Sequence, residues 1–417
     1  MNQKSIEINI KKRNNHYIKI IYILIFLVGI LNSQEYIINL GYRHLSNGIQ
    51  VFIYILILIM FFLMLVDFSY RIGRFKFYSF PYWRILSLAI IFKLFILFIQ
   101  NPQDFFVGGK FFYRYISYML NISLLIVLAK VIQTQNEVKN VVLALGLGTV
   151  LSAIIPFIFY PEMIGVRIGT AYNINGSFWN YSLISFISVG WLLIAVTSFY
   201  KSKIIKLISS AIVILLILAS LAGLSRAALV SFMLSFIIYL FFTKKFFKNL
   251  KYLGAIAIVL ILMINIFPEV INNFQGRLDG GIVVQEEARM KIWKEYIADI
   301  PNYFLFGQIQ GDYTIYSSSG NPPHSVLLNW LVQFGILGFT GFIVLFIGVI
   351  KSIRSISQFS ETQVVAGLYA WLVSYFSVAL INETGFSELS VFAAIGIILA
   401  WGNISKKSRN TGVLNIM

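Results

Sequence analysis

Apolar runs of about 20 residues recur along the whole chain, separated by short polar breaks. Each run is long enough to cross a hydrocarbon core of roughly 30 Å as a helix. The pattern predicts spans at roughly 17–33, 50–69, 82–100, 112–134, 141–160, 181–199, 204–222, 227–243, 250–267, 325–350, 364–382 and 389–404. Two connections are longer than the rest, one near 160–180 and one near 268–324. No internal repeat or low-complexity segment stands out. The expected architecture is an all-α polytopic membrane protein with about twelve transmembrane helices. It forms a single integral-membrane domain over 1–417, with the 268–324 loop inserted between spans nine and ten. The first span lacks a small-residue cleavage site and further spans follow it, so it reads as an anchor and not as a signal peptide.

Composition agrees with the pattern. The chain is 59% hydrophobic and only 12% charged, against roughly 25% charged residues in soluble domains. It contains no cysteine, which excludes disulfides and thiol chemistry.

The net charge is +17, and its placement sets an orientation. Lys4, Lys11, Lys12 and Arg13 precede the first span. Every second connection is then basic: Arg71, Arg74 and Lys76; Lys201, Lys203 and Lys206; Lys244, Lys245, Lys248 and Lys251; Lys351 and Arg354; and Lys406, Lys407 and Arg409 at the C-terminus. Cytoplasmic connections carry such an excess. The alternation predicts both termini in the cytoplasm and both long loops on the outer side. The basicity is a topology signal and does not point to nucleic acid.

Polar residues without a topological reason gather on the outer side. Residues 283–300 read as an amphipathic helix, with Val283, Met290, Trp293, Ile297 and Ile300 near one face and Pro301 as its stop. Arg289 and Trp293 lie one turn apart on it. Gly307, Gly311 and a Ser- and Gly-rich stretch follow, then Asn321-Pro322-Pro323-His324 at the mouth of the next span, with Gly335 and Gly338 as packing positions beyond. A histidine titrates near neutral pH and can take a proton from a hydroxyl; His324 could equally be a helix-start residue at the interface. Arg226 stands between two spans with little loop to occupy. Arg167, Arg277 and Arg289 are the other outer arginines, and guanidinium groups converging on one cavity would suit a diphosphate. Singly they could also be snorkelling or loop charges. Glu383 and Glu388 lie in the short outer connection before the last span and could orient a histidine, bind sugar hydroxyls or simply face water. Lys93 is a midspan charge with no obvious partner. No metal-ligand spacing, P-loop or dinucleotide fingerprint is present.

Several segments together resemble the O-antigen polymerase and O-antigen ligase superfamily, Wzy and WaaL. They are GLSRAAL at a span start (Arg226), the Arg-x3-Trp helix (Arg289, Trp293), Pro-Asn-Tyr-Phe-Leu-Phe-Gly, and Pro323-His324-Ser325 leading to Gly-Ile-Leu-Gly at Gly335–Gly338. Residues 167–181, RIGTAYNINGSFWNY, are similar to an outer-loop Arg-Gly-Asn pattern of that family. The resemblance covers mainly residues 160–390.

It implies a GT-C-like, metal-independent glycosyltransferase of the inner membrane that needs no cofactor and uses an undecaprenyl-diphosphate-linked glycan. His324 would be the catalytic histidine. Arg226 and Arg289 would hold the donor diphosphate, with Arg167 and Arg277 as further candidates. Glu383 or Glu388 would fill the acidic position near the end of the chain. Membrane lipid and a chain-length regulator protein are the implied partners. The Ile-, Asn-, Lys- and Phe-rich composition favours a polymerase, and an O-antigen ligase acting on the lipid A core is the alternative. A flippase or other transporter would fit twelve spans, but such proteins are expected to show repeat-related halves and midplane polar sites, and no halves are visible.

Overall fold

The computed structural model describes residues 3–30, 43–70, 81–100, 102, 110–159, 177–222, 226–243, 289–308, 313–323, 325–358, 360–379 and 389–411. These form helices and connecting turns, with no strand among the described residues. The helices are α1 (Gln3–Ile30), α2 (Arg43–Tyr70), α3 (Arg84–Gln100), α4 (Lys110–Val131), α5 (Gln135–Phe159), α6 (Ser177–Thr197), α7 (Lys203–Ala222) and α8 (Arg226–Thr243). Then come α9 (289–298), a single turn at Ile300–Tyr303, α10 (Val326–Ser357), α11 (Thr362–Ala379) and α12 (Leu389–Thr411). Every expected span coincides with a helix except 250–267, which lies outside the described residues.

Four helices hold a stretch long and apolar enough to cross a membrane: Gln135–Ile154, Lys203–Ser220, Val326–Ser357 and Leu389–Ser408. Shorter apolar helices run at Tyr17–Ile30, Gly48–Leu63, Tyr115–Val131, Phe186–Thr197 and Val230–Thr243. Large apolar side chains such as Ile204, Leu207, Phe95 and Phe241 face outward, as expected where lipid and not water is the solvent. These features make the chain a polytopic membrane protein.

α12 is the central helix, with 83% of its apolar stretch buried against 33% for α7 at the periphery. It packs on α4, α5, α6 and α10. Apolar burial gives little driving force between helices in lipid, so packing and interhelical hydrogen bonds matter more. Trp191 Nε1 on α6 donates to Ser235 Oγ on α8 at 2.7 Å. Ser231 Oγ on α8 donates to the Ser374 carbonyl on α11 at 2.7 Å.

Basic groups collect at one end of the bundle. Lys130 is near enough to Lys407 to repel it, Lys139 stands near Lys201, and Lys351 lies 5.7 Å from the Tyr82 ring. From there, α3 runs close along α10. A Cβ on Gly341 would lie 2.7 Å from the Leu86 nitrogen, so glycine there allows the near approach.

α10 is interrupted. Gly335 has φ 66° and ψ −165°, a region essentially reserved for glycine. A continuous helix would bond the Ile336 N–H to the Val332 carbonyl. Instead, Ile336 N–H donates to the Phe304 carbonyl at 2.6 Å, and the Val332 carbonyl accepts from Gln308 N–H at 2.6 Å. Segment 304–308 is thus spliced into the break, roughly 14 Å along the helix from its start. Gly307 also has a positive φ of 71°, and a Cβ on it would overlap the Gln333 carbonyl oxygen, as one on Gly335 would overlap that of Leu305. The Gly335 position, expected from sequence to serve packing, is where the helix opens to receive the loop.

Gly335→Ala is therefore expected to destabilise the protein by at least about 2 kcal/mol, read as a lowered melting temperature in detergent. Gly320→Ala, at φ 65° with open space around it, should lose only about 1–2 kcal/mol. Equal effects at the two positions would contradict the splice.

Candidate functional site

The segment after residue 288 is a small docked unit. Ile292, Tyr296 and Tyr303 are buried with Leu331 and Val332 of α10, and Ile300, Tyr316 and Phe339 pack around them. Ile292 and Tyr296 are one turn apart, so α9 lays that face on α10. This corrects the face expected from sequence: Met290 and Ile297 are 52% and 54% exposed. With Phe304, Leu305 and Phe306, also exposed, they form an apolar surface suited to the lipid boundary. The helix ends before Pro301, which sits in the first turn of Ile300–Tyr303, where its missing N–H is harmless.

α9 grips the segment that leads into α10. Half-buried Trp293 donates its Nε1–H to the Pro323 carbonyl at 2.6 Å. The Tyr296 hydroxyl donates to the Asn321 carbonyl at 3.0 Å. The Tyr303 hydroxyl donates to the Tyr296 carbonyl, and burial raises its pKa, which keeps this donor protonated. Glu295 accepts from the Ser318 hydroxyl at 2.6 Å and from the Ser318 N–H at 3.0 Å. Those bonds, the hydroxyl first, hold its pKa below the usual glutamate value. The Asn321–Pro323 stretch is thereby fixed from one side by a single helix.

Below it lies the splice, and Lys93 closes it from α3. Lys93 is buried and donates to the Gln308 carbonyl, with the Phe306 carbonyl at 3.5 Å. The Phe92 and Phe306 rings meet at 5.8 Å. The midspan charge that had no partner in the sequence thus binds backbone oxygens more than 200 positions away. On the neighbouring face of α10, Trp330 and Phe334 stack at 4.9 Å, and Phe334 meets Tyr115 and Tyr118 of α4 edge-on at 5.4 and 5.5 Å. Trp330 also stacks on Phe342 at 5.4 Å, so an aromatic contact crosses the break.

Three amides sit at this junction. Gln308, Asn329 and Gln333 are at most 1% exposed. Both polar side-chain atoms of Gln308 and of Asn329, and Oε1 of Gln333, make no hydrogen bond. Asn329 and Gln333 are one turn apart on α10, and the Gln308 backbone bonds to Val332. Buried polar groups are nearly always paired, so these orphans need an explanation. The sequence reading passed them over; the signal available was two amides at a four-residue spacing inside an apolar span. Among the described residues no group of three or more His, Asp or Glu side chains could hold a metal ion.

The residues singled out from sequence fall as follows. Arg289 is the first described residue of α9, exposed, one turn from the Trp293 that grips Pro323. Arg226 opens α8. Trp293 is placed directly against the residue before position 324. His324, Glu383, Glu388, Arg167 and Arg277 lie outside the described residues.

Residues 211–343 match the family model described as O-antigen ligase, Wzy_C. The matched stretch contains Arg226, the α9 clasp, the Pro-Pro-His segment, the splice and the three amides. It supports the O-antigen polymerase and ligase superfamily, and with it glycosyl transfer in O-antigen assembly, and gives no support to a flippase. No curated protein sequence matches the chain.

The Glu295–Ser318 latch carries a pH dependence. A carboxylate with a lowered folded pKa stabilises the fold above its unfolded value, about 4.3, and that contribution is lost as the pH falls below it. Amide exchange at Ser318, corrected for its intrinsic pH dependence, is expected to be slow at neutral pH and to quicken below that value. In Glu295→Gln the protection should no longer vary with pH; an unchanged pH profile would contradict the latch.

Proposed function

We propose that this protein is an O-antigen polymerase that joins undecaprenyl-diphosphate-linked repeat units at the outer face of the inner membrane. The observation that carries the reading is the α9 clasp. One helix bears Arg289 and, one turn on, the Trp293 that bonds the carbonyl of Pro323, and His324 follows at once. This supports a pairing of Arg289, as a cation for phosphate, with His324, as a base for a hydroxyl, within the stretch that matches the family.

In the proposed reaction His324 takes the proton of the acceptor hydroxyl. The oxygen attacks the anomeric carbon of the donor sugar from the face opposite the diphosphate. The anomeric C–O bond breaks and undecaprenyl diphosphate leaves with both electrons. Arg226 and Arg289 offset the charge on the leaving group, with Arg167 and Arg277 as further contacts. Glu383 or Glu388 orients the histidine or the acceptor. The donor arrives activated on lipid, so no nucleotide or metal enters. The setting is a twelve-span domain with both termini in the cytoplasm and residues 268–324 as a periplasmic loop; a chain-length regulator would dock on this assembly. A second reading, ligation of finished glycan to the lipid A core, is favoured by the family model's own description and uses the same groups with a different acceptor.

The test is a gel of surface lipopolysaccharide from a deletion strain carrying wild-type or variant protein. His324→Ala should leave core plus a single repeat unit, from a rate lowered about 10²–10⁴-fold. Trp293→Phe, which keeps the ring and removes the donor, should shorten the ladder without abolishing it. Bare core with polymer held on undecaprenyl diphosphate would establish the ligase. A normal ladder from well-expressed His324→Ala would overturn both readings.

A further inference from the structure

The three buried amides at the break in α10 have no use in the reaction as derived, and they are not needed to hold the fold. The splice is made by backbone groups, Gln308 N–H to Val332 and Ile336 N–H to Phe304, and by Lys93 on the carbonyls of Phe306 and Gln308. The amide groups take no part in it. Five polar atoms on Gln308, Asn329 and Gln333 are buried without a hydrogen bond. Apolar side chains of similar shape would fill the same space without that penalty. Groups kept at the expense of stability are expected at functional sites.

We infer that Gln308, Asn329 and Gln333 form a subsite for the neutral hydroxyl groups of the glycan; this rests on the glycosyl-transfer reading above. The chemistry selects the ligand. Each amide presents one donor group and one acceptor, which suits sugar hydroxyls that both give and take hydrogen bonds. An anion would call for a free cation, and the ammonium group at hand, Lys93, already binds two carbonyls. Position agrees. Asn329 and Gln333 lie roughly 5 and 11 Å along α10 from its start at Val326, in the helix that follows Pro323-His324 in the sequence. Gln308 ends the spliced segment 304–308, and Asn329 and Gln333 lie on the helix that receives it, so the three amides come from both partners of the splice.

The experiment uses purified full-length protein in nanodiscs and undecaprenyl-diphosphate-linked repeat unit extracted from a strain lacking it. Asn329→Leu, Gln308→Met and Gln333→Met are each measured for melting temperature, for equilibrium binding of the lipid-linked glycan, and for turnover. The subsite predicts melting temperatures unchanged or raised, binding weakened about three- to tenfold per variant, and KM raised with kcat little changed. Normal binding in all three variants would mean that the amides hold water only, and would overturn the inference. Lowered melting temperatures in all three would overturn it as well, because the amides would then be structural. If wild type binds the lipid-linked glycan, with the variants weaker, but transfers no sugar to an acceptor, the proposed function falls and the subsite stands.

Discussion

A helix interrupted in apolar surroundings must find partners for the backbone groups it frees, since lipid offers none. In this protein the freed groups are the Val332 carbonyl and the Ile336 N–H, and the partners are Gln308 and Phe304 of the segment that precedes α10. The exchange locks a loop to a helix core by main-chain bonds that no side-chain substitution removes directly. It requires a residue without Cβ on each side, which Gly307 and Gly335 supply. Lys93 adds a bond from α3, and α3 can reach only because Gly341 lets the two helices approach. The arrangement converts one span of a helical bundle into a fixed platform.

What stands on the platform follows from it. The apolar face of α9 docks on Leu331 and Val332, next to the break. With α9 fixed there, Trp293 and Tyr296 reach the carbonyls of Pro323 and Asn321. A short stretch, Asn321–Pro323, is thereby held by side chains of one helix; under the proposed reaction, such positioning would contribute to rate. Phe304, Leu305 and Phe306 of the spliced segment are exposed.

Much of this was legible in the sequence. Apolar runs marked the helices because a 20-residue run has few other destinations. The ends were less clear: α1 begins at Gln3 and α2 at Arg43, well before their apolar parts, because a helix can continue through polar residues that hydropathy ignores. Trp293, which bonds the Pro323 carbonyl, was singled out because local spacing carries it; His324 lies outside the described residues. The face of α9 was misjudged. Met290 and Ile297 share a helical stripe with Trp293 and Ile300, and spacing alone does not tell which apolar residues meet protein: Ile292 and Tyr296 are buried and Met290 and Ile297 are exposed. The Lys93 contacts, the splice and the amide cluster were invisible for another reason. They join positions far apart in the chain, and nothing in the local pattern near Lys93 announces a carbonyl beyond residue 300.

The central claim is that this chain itself transfers glycan from a lipid diphosphate. Reconstituting the purified protein in liposomes with only the undecaprenyl-diphosphate-linked repeat unit, in the presence of a metal chelator, tests it most directly. The account predicts lipid-linked glycans of two or more repeat units, with one undecaprenyl diphosphate released for each bond formed. Movement of the intact lipid-linked unit between leaflets, with no longer product even when lipid A core is added as acceptor, would contradict it.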